Sequence, residues 1–443
     1  MERSKTSRSI FGCSSPAATT VAALLFTIVF ALAATQLARA QTFAVLHAFS
    51  GPDGALPESG LIVGHDGNFY GTTFTGAYGS SYDGTVYKLF HSGDAWMLTT
   101  LHQFQFSLGE GIGPAANVVF GPDGALYGTT VNGGAWNYPC NLGCGTVYRL
   151  SPPAVCTPGN CAWSELTIRD FEGGLDGALP EFGALVFDTA GRSYGTTAAG
   201  GHSRGGAGTV FSIWRASNGW DTSLLWSFDT PEFPEHDGVS PYNGLVMLND
   251  DTMLGTTLQG GNAGLGNEGE GTIYELKRAK HGWSERVVHS FGVSSWDGSY
   301  PFAGLIEDAA GNLYGATSTG GPGGGGTVFK LTPSGDGWNF STVYALPGQN
   351  NWQTGPIGNL AMDGAGNLYG TTVSEGAFSQ GSVFKLAPNS DGSWTYTTLH
   401  NFTGGLDGSR PWGSLLVDNS GDVFGTAEFG GAYNDGVVFE ITP

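Results

Sequence analysis

The sequence predicts an all-β fold, a seven-bladed β-propeller of four-stranded antiparallel blades whose ring is closed by the N-terminal strand. A Tyr-Gly-Thr-Thr core recurs seven times at intervals of 55 to 67 residues, and each copy contains strand-like segments separated by turns. The last copy ends before its fourth segment, which points to a shared blade. The cores begin at Tyr70, Tyr127, Tyr194, Leu254, Tyr314, Tyr369 and Phe424.

The fifth copy illustrates the predicted repeat unit. We expect its strands a, b, c and d at residues 304–307, 313–318, 326–331 and 338–346. Turn-forming residues separate these segments, and Trp338, Phe340 and Tyr344 alternate with smaller or polar neighbours in strand d. Valine and aromatic residues in strand c suit a sheet. Four antiparallel strands per repeat are typical of a propeller blade.

The two ends of the chain complement each other. The seventh copy stops after strand c, and residues 43–49 match residues 396–402, which form strand d of the sixth copy. Donation of the first strand to the last blade would remove the open edges of the array. An open solenoid is the alternative, and the missing strand argues against it.

Residues 1–40 are predicted to be a signal peptide, and residues 41–443 a single propeller domain. Basic residues precede an apolar stretch, and Ala38-Arg39-Ala40 is a small-x-small cleavage site. An uncleaved membrane anchor is the alternative, and no second stretch approaches spanning length. The prediction is therefore a secreted or periplasmic protein without a membrane span after cleavage.

The charge balance limits the class of partner. The chain has 17 Lys and Arg against 38 Asp and Glu, a formal net charge of -21. Such a surface repels nucleic acid and anionic lipid, so neither is expected as a partner.

The repeated pattern resembles a known family. "Asp-x-x-Gly-Asn-Leu-Tyr-Gly-Thr-Thr, Gly-Gly, Gly-Thr-Val-Phe-Lys-Leu" is similar to the GloVer tandem repeat of exported bacterial proteins, over residues 46–443. Leu254, Ala316 and Ala427 depart from the pattern. The resemblance implies an exported repeat protein and brings no agreed activity or catalytic residues.

Aromatic residues outside the repeated positions are the candidate ligand-binding groups. They lie in the b-to-c and d-to-a loops, which should share one face of the propeller and carry function. Aromatic side chains with polar neighbours can stack on sugar rings or on a protein partner, or can simply pack the loops together. The candidates are Tyr78, Tyr82, Trp136, Tyr138, Trp296, Trp352, Phe378, Trp412 and Tyr433.

An Asp-Gly dipeptide recurs in five d-to-a loops. A ring of carboxylates could hold Ca²⁺ or a cationic ligand, whereas Asp-Gly is also an ordinary turn dipeptide, and its recurrence favours the structural interpretation. His47, His102, His289 and His400 share one strand-d position and are also predicted to be structural. The metal candidates are Asp53, Asp176, Asp237, Asp297 and Asp407.

Four cysteines remain after residue 40, all in the second copy. Cys140 and Cys144 precede strand c of that copy, and Cys156 and Cys161 follow it. Six strand residues span about 20 Å, and a disulfide needs α-carbons within about 7 Å. The predicted pairs are therefore Cys140 with Cys144 and Cys156 with Cys161.

These patterns predict an exported binding or interaction module without catalytic residues. Polysaccharide or cell-envelope material is the expected ligand class, and an extracellular protein is the next. No cofactor is required, although Ca²⁺ remains an option at the Asp-Gly loops. The alternative is a glycan-active hydrolase or lyase with its site on the long-loop face, which would need paired acids that converge there.

Overall fold

The computed structural model describes residues 41–76, 83–134, 140–154, 162–202, 206–228, 237–261, 269–348 and 354–442. The compact unit is Thr42–Pro443. It contains seven four-stranded antiparallel sheets, one for each repeat, as the sequence predicts. A short 3-10 turn at Phe106–Leu108 is the only helical element among the described residues.

The first three blades follow the closing strand. Blade 1 contains β2 to β5, blade 2 contains β7, β8, β10 and β11, and blade 3 contains β12 to β15. The strands are β1 (Thr42–Ala48), β2 (Ile62–Val63), β3 (Phe69–Thr73), β4 (Thr85–Ser92), β5 (Ala95–Gln103), β6 (Gly111–Ile112), β7 (Val119–Phe120), β8 (Leu126–Thr130), β9 (Asn132–Gly133), β10 (Thr146–Ser151), β11 (Ser164–Asp170), β12 (Val186–Phe187), β13 (Ser193–Thr197), β14 (Thr209–Ala216) and β15 (Gly219–Ser227).

The remaining blades repeat the same order. Blade 4 contains β17, β18, β20 and β21, blade 5 β22 to β25, blade 6 β26 to β29, and blade 7 β30 to β32 with β1. The strands are β16 (Gly238–Val239), β17 (Val246–Asn249), β18 (Thr252–Thr257), β19 (Gln259–Gly260), β20 (Thr272–Ala279), β21 (Gly282–Ser290), β22 (Ile306–Glu307), β23 (Leu313–Ala316), β24 (Gly324–Ser334), β25 (Gly337–Pro347), β26 (Ala361–Met362), β27 (Leu368–Thr372), β28 (Ser382–Pro388), β29 (Trp394–Asn401), β30 (Leu416–Val417), β31 (Val423–Ala427) and β32 (Val437–Thr442).

The N-terminal strand closes the ring. β1 pairs antiparallel with β32, from Thr42 opposite Thr442 to Ala48 opposite Val437. A second contact joins the same two ends of the chain, because Thr426 Oγ1 donates a hydrogen bond to the carbonyl oxygen of Ser59 at 2.6 Å. The predicted closure is therefore confirmed.

Strand a is shorter than the sequence predicts. In blade 5 it covers Ile306–Glu307 instead of residues 304–307, while β24 and β25 are longer than predicted. The backbone N–H of Gly304 donates to Asn359 Oδ1 of the next blade at 2.7 Å. Near the axis, a side chain of the neighbouring blade thus takes the place of a sheet partner.

The glycine of the Tyr-Gly-Thr-Thr core lies beneath an aromatic ring of strand c. A Cβ on Gly370 would lie 2.5 Å from Phe384 Cζ, and the equivalent glycine meets a Tyr or Phe ring in every blade. The hydroxyl groups of Thr73 and Thr85 are 2.8 Å apart, a pairing that recurs in most blades. Blade 7 replaces the pair with Ala427 opposite Val437.

The hydrophobic core lies between neighbouring blades. One cluster combines Tyr314 and Val328 of blade 5 with Leu360, Leu368 and Phe384 of blade 6. Because each blade buries its apolar faces against the next one, the repeats stabilise one another.

Gly370→Ala tests the contact beneath the aromatic ring. We expect it to destabilise the protein by about 1–3 kcal/mol, because overpacking forces a buried ring to move. Gly364→Ala is the matched control, since nothing lies within 4 Å of its added Cβ. Urea unfolding monitored by tryptophan fluorescence measures both variants. Equal stability of the two variants would contradict this account of the motif.

Candidate functional site

The d-to-a loops and the b-to-c loops lie on the same side of the ring, which we call the loop face. Short ladders join two d-to-a loops to the b-to-c loop of the blade that follows, β6 with β9 and β16 with β19. Isolated bridges between Ala178 and Ala199 and between Ser409 and Phe429 make the same connection in other blades. This agrees with the arrangement predicted from the strand order.

The repeated acids of the d-to-a loops contact side chains of the strand d that precedes each loop. Asp53, for example, also accepts hydrogen bonds from the backbone N–H and the hydroxyl of Ser50. Glu110 takes this position in the second copy, which lacks Asp-Gly. The pairs, with their N to O distances, are His47 and Asp53 (2.7 Å), His102 and Glu110 (3.3 Å), Arg169 and Asp176 (2.5 Å), Trp226 and Asp237 (3.3 Å), His289 and Asp297 (3.3 Å), and His400 and Asp407 (3.1 Å).

These contacts favour a structural role for the Asp-Gly loops and their histidines. Five of the six acids form a hydrogen bond with a side chain of the preceding strand d, whereas Asp297 lies close to His289 without one. In the described ranges from Gln41 to Thr442, no group of three or more His, Cys, Asp or Glu side chains is arranged to hold a metal ion.

The predicted aromatic candidates lie in different places. Trp296, Phe378 and Tyr433 are on loops of the loop face and are 63%, 58% and 65% exposed. Trp412 lies instead at the axis of the ring. Tyr78, Tyr82, Trp136, Tyr138 and Trp352 lie outside the described residues.

A disulfide joins Cys140 to Cys144, with α-carbons 5.2 Å apart, so this predicted pair is confirmed. It lies at a cleft of about 610 Å³ between blades 2 and 3. A related cleft of about 460 Å³, lined by Glu270 and Tyr300, lies between blades 4 and 5. Cys156 and Cys161 lie outside the described residues.

All seven repeats meet at the axis around a cavity of about 20 Å³. This space holds about one water molecule. Backbone contacts close it further, since a Cβ on Gly60 would lie 2.3 Å from the carbonyl oxygen of Ser414. The axis of the ring is therefore closed at the loop face. The lining includes Glu58, Ala115, Phe182, Asn243, Phe302, Ile357 and Trp412.

Three aromatic rings stack in a row beside the closed axis. Phe182 lies between Trp412, with centroids 5.7 Å apart and planes at 26°, and Tyr242, with centroids 6.4 Å apart and planes at 17°. The backbone N–H of Phe182 donates to the Tyr242 carbonyl at 3.1 Å, which fixes the spacing of blades 3 and 4. All three side chains are half-buried. We call Tyr242, Phe182 and Trp412 the axial row.

Glu58, Glu181 and Glu428, the axial carboxyls, interact at the same place. Burial, followed by the charges of Glu428 and Glu181, raises the pKa of Glu58 to about 8, although Arg410 acts to lower it. Burial raises the pKa of Glu181 to about 7. Burial also raises the pKa of Glu428 to about 7, against the opposing charge of Arg410. Near neutral pH, these carboxyls are therefore partly protonated.

The backbone fixes the pairing of Glu428 with Arg410. Arg410 adopts a left-handed conformation with φ 52° before Pro411, and its carbonyl accepts the backbone N–H of Glu428 at 3.1 Å. The Arg410 Nε lies 3.5 Å from Glu428 Oε2. Glu428 is 7% exposed, and its side chain also interacts with that of Trp412, which acts to lower the pKa of Glu428. Arg410 and Trp412 are thus the side chains that hold this buried carboxyl.

Most of the axial site, which comprises the axial row, the axial carboxyls and Arg410, was missed from the sequence. Only Trp412 was a candidate. The sequence does carry a signal for the axial carboxyls, because these glutamates depart from the residues found at the same positions of other repeats. Glu58 and Glu181 follow loop prolines where other copies have Ala, Ile or aromatic residues, and Glu428 occupies a position that holds Phe, Val, Ala, Leu or Ser elsewhere.

Glu58→Gln tests the protonation of the axial carboxyls. The folded-state pKa lies above the ordinary value of 4.5, so the unfolded chain loses this proton first as the pH rises. The stability that protonated Glu58 contributes is complete below about pH 4.5 and declines until about pH 8. We therefore expect the wild-type protein to lose free energy of unfolding relative to Glu58→Gln across that window.

Urea unfolding at several pH values across this window measures the difference. Glu307→Gln, which changes an exposed glutamate at the end of β22, is the matched control and should follow the wild type. If the free energies of unfolding of the wild type and of Glu58→Gln changed with pH in parallel, Glu58 would be solvated in the folded protein and the prediction would be wrong.

Comparison with known structures supports the fold. A polysaccharide lyase, the PL25 ulvan lyase bound to -[GlcA(1-4)Rha3S]-, has a TM-score of 0.54 at 12% identity, covering 90% of this chain and 95% of that one. A second structure of the PL25 ulvan lyase gives a TM-score of 0.52 at 12% identity over the same shares. An ancestral GH74 enzyme gives 0.48 at 13% identity, over 87% of this chain and 50% of that one. At 12% identity, the likeness to the ulvan lyase shows the fold alone.

The sequence relationships are more specific. No curated protein matches the chain. The Gloeobacter/Verrucomicrobia repeat matches residues 27–267 and 260–443, which confirms the resemblance inferred from the repeated motif. The chain therefore belongs to the Gloeobacter/Verrucomicrobia repeat family.

Proposed function

We propose that the protein is an exported polysaccharide-binding module whose binding site is the axial site. The axial row carries this proposal. Sugar rings present C–H faces that stack on aromatic side chains, and sugar hydroxyls donate hydrogen bonds to carboxyl oxygens. Both types of group are adjacent here, since Glu58 and Trp412 line the same cavity and Glu428 contacts Trp412.

The negative charge of the protein limits the class of polysaccharide that we expect it to bind. The net charge of -21 and the three axial carboxyls disfavour a polyanionic chain. The saccharide of the ulvan lyase contains glucuronic acid and a sulfated rhamnose. We therefore expect this protein to differ from that lyase in ligand class, and to take a neutral or cationic polysaccharide.

Export is supported by two observations. The Cys140–Cys144 disulfide fits an extracellular or periplasmic protein, since such bonds persist in oxidising compartments. The N-terminal sequence has the pattern of a cleaved leader. No helix in the described part of the chain is long and apolar enough to cross a membrane.

Trp412→Ala tests the axial row. We expect it to weaken polysaccharide binding at least about tenfold, which corresponds to about 1.4 kcal/mol, because a stacking surface is lost. Trp296→Ala, which removes an exposed ring from a d-to-a loop, is the matched control and should bind normally. Affinity electrophoresis against soluble glucans, mannans and deacetylated chitin measures both, and thermal unfolding verifies the fold. Loss with Trp296→Ala alone would move the site to the exposed loops.

Calcium is proposed to be dispensable for this binding. The carboxylates of the Asp-Gly loops already accept hydrogen bonds or pair with side chains of strand d. Binding should therefore be the same in Ca²⁺ and in excess chelator. Loss of binding in chelator would assign the Asp-Gly loops to a metal site after all.

A glycan-active hydrolase or lyase is the alternative, and the axial carboxyls favour it. They are not repeated, and Glu58 and Glu181 have raised pKa values of the kind that a general acid needs. Chromatographic analysis of each bound polysaccharide after long incubation decides between the two functions. If the wild-type protein releases product, and Glu58→Gln and Glu181→Gln each release at least about a hundredfold less, the protein is an enzyme and a purely binding role is rejected.

A further inference from the structure

We propose that the loop face of blades 6 and 7 carries a docking surface for a basic protein segment that also bears apolar side chains. The surface is centred on Phe378, Leu406 and Tyr433, which we call the apolar patch. This proposal does not depend on the axial site or on polysaccharide binding. It follows from exposed apolar side chains on three contacting loops, and from the charge of the face around them.

The side chains of the apolar patch are exposed to solvent. Phe378, Leu406 and Tyr433 are 58%, 73% and 65% exposed, and Leu406 is the most exposed large apolar side chain among the described residues. The other exposed residues of these three loops are Gly, Ala, Ser, Thr and Asn, so none of them carries a charge. Adjoining apolar surface of this kind marks a site where proteins meet, whereas single exposed apolar residues need no such explanation.

The three loops of the apolar patch contact one another. One side chain comes from the b-to-c loop of blade 6, one from the d-to-a loop that follows, and one from the b-to-c loop of blade 7. The backbone N–H of Arg410 in the middle loop donates to the carbonyl of Gln380 in the first loop at 2.8 Å. The N–H of Gly431 in the third loop donates to the carbonyl of Gly405 in the middle loop at 3.0 Å. The patch is therefore one surface and not three separate tips.

Hydrogen bonds within the loops hold the two aromatic residues of the patch in place. Ser379 and Asn434, which directly follow them, adopt left-handed backbone conformations with φ of 55° and 66°. The N–H of Ser379 donates to the carbonyl of Gly376 at 3.3 Å, and Asn434 Oδ1 accepts the N–H of Gly430 at 3.3 Å. A surface that is ordered before it binds loses less entropy on binding.

The loop face around the patch is acidic. Six of the seven d-to-a loops carry an Asp or Glu in their described parts, whereas Arg410 is the single Lys or Arg in the described d-to-a and b-to-c loops. Arg410 is already engaged, since its Nε lies 3.5 Å from Glu428 Oε2. All other Lys and Arg residues in the described ranges lie on strands c and d or in the turns of the opposite face. This face should therefore attract a cationic partner.

Each loop of the patch also carries an acid close to its apolar side chain. Glu375, Asp407 and Asp435 lie within three residues of the apolar member of their own loop. A protein segment in which Lys or Arg alternates with apolar residues matches both features, because its apolar side chains would be buried on the patch while its cations face these acids.

Other partners fit the patch less well. A second copy of this chain would bring two acidic loop faces together, and like charges across an interface oppose association. A sugar ring stacks on an aromatic face, whereas Leu406, the most exposed member of the patch, is aliphatic. A basic protein segment is therefore the partner that the charges and the side chains favour.

Three short labelled peptides test the proposal, which repeat Lys-Leu-Lys-Gly, Lys-Ser-Lys-Gly or Glu-Leu-Glu-Gly. Fluorescence anisotropy measures their affinity for the protein. We expect the Lys-Leu peptide to bind at least about tenfold more tightly than either of the others, because only this peptide has both positive charge and apolar side chains. Its affinity should fall as salt is added, since salt screens exposed charges.

Variants locate the binding. Leu406→Ser and Tyr433→Ser should each weaken binding of the Lys-Leu peptide at least about fivefold, because apolar contact area is lost. Leu108→Ser is the matched control, since Leu108 is 66% exposed in the d-to-a loop between blades 1 and 2. Neither this control nor Trp412→Ala should change peptide binding. Thermal unfolding verifies that each variant is folded.

The remaining outcomes would overturn the proposal. Equal affinity for the Lys-Leu and Glu-Leu peptides, or no binding of any peptide, would remove the basic partner. Unchanged binding in both Leu406→Ser and Tyr433→Ser would place the peptide elsewhere. Dimers in analytical ultracentrifugation that disappear in Leu406→Ser would assign the patch to a second copy. Polysaccharide binding that is lost in Leu406→Ser but retained in Trp412→Ala would assign it to the polysaccharide and reject the axial site instead.

Discussion

Closure of the ring is the constraint on which the rest of the structure depends. β1 supplies the outer strand of blade 7, and the hydrogen bond from Thr426 to Ser59 joins positions 367 residues apart at the axis. The same closure brings Glu58 of blade 1 beside Glu428, Arg410 and Trp412 of blade 7. The axial site is therefore a product of closure, because neither end of the chain contains it alone.

Residues that recur in every repeat and residues that occur once have different roles in the molecule. The repeated glycines, threonines and loop acids contact one another within blades or between neighbours, so they maintain the scaffold. The axial carboxyls depart from the repeat and carry raised pKa values, a cost in stability that the repeat does not require. Residues that depart from a structural pattern at such a cost are candidates for function.

The sequence predicts the scaffold well because its signals are local and repeated seven times. Blade number, strand order and the Cys140–Cys144 pair follow from spacing alone. The shortness of β22 was not predicted, because the N–H of Gly304, where the strand was expected to begin, donates to Asn359 of the next blade instead. The axial site was not predicted for a related reason. Glu58, Glu181 and Glu428 are far apart in sequence, and only the radius and register of the closed ring place them together.

The central claim is that closure of the ring assembles a ligand site from residues of several blades. A crystal structure of the protein grown with an oligosaccharide from a polysaccharide that it binds tests this claim most directly. We expect β1 to pair with β32 and a sugar ring to contact Trp412 beside Glu58. An open or strand-exchanged ring, or a saccharide bound only in the cleft between blades 2 and 3, would contradict it.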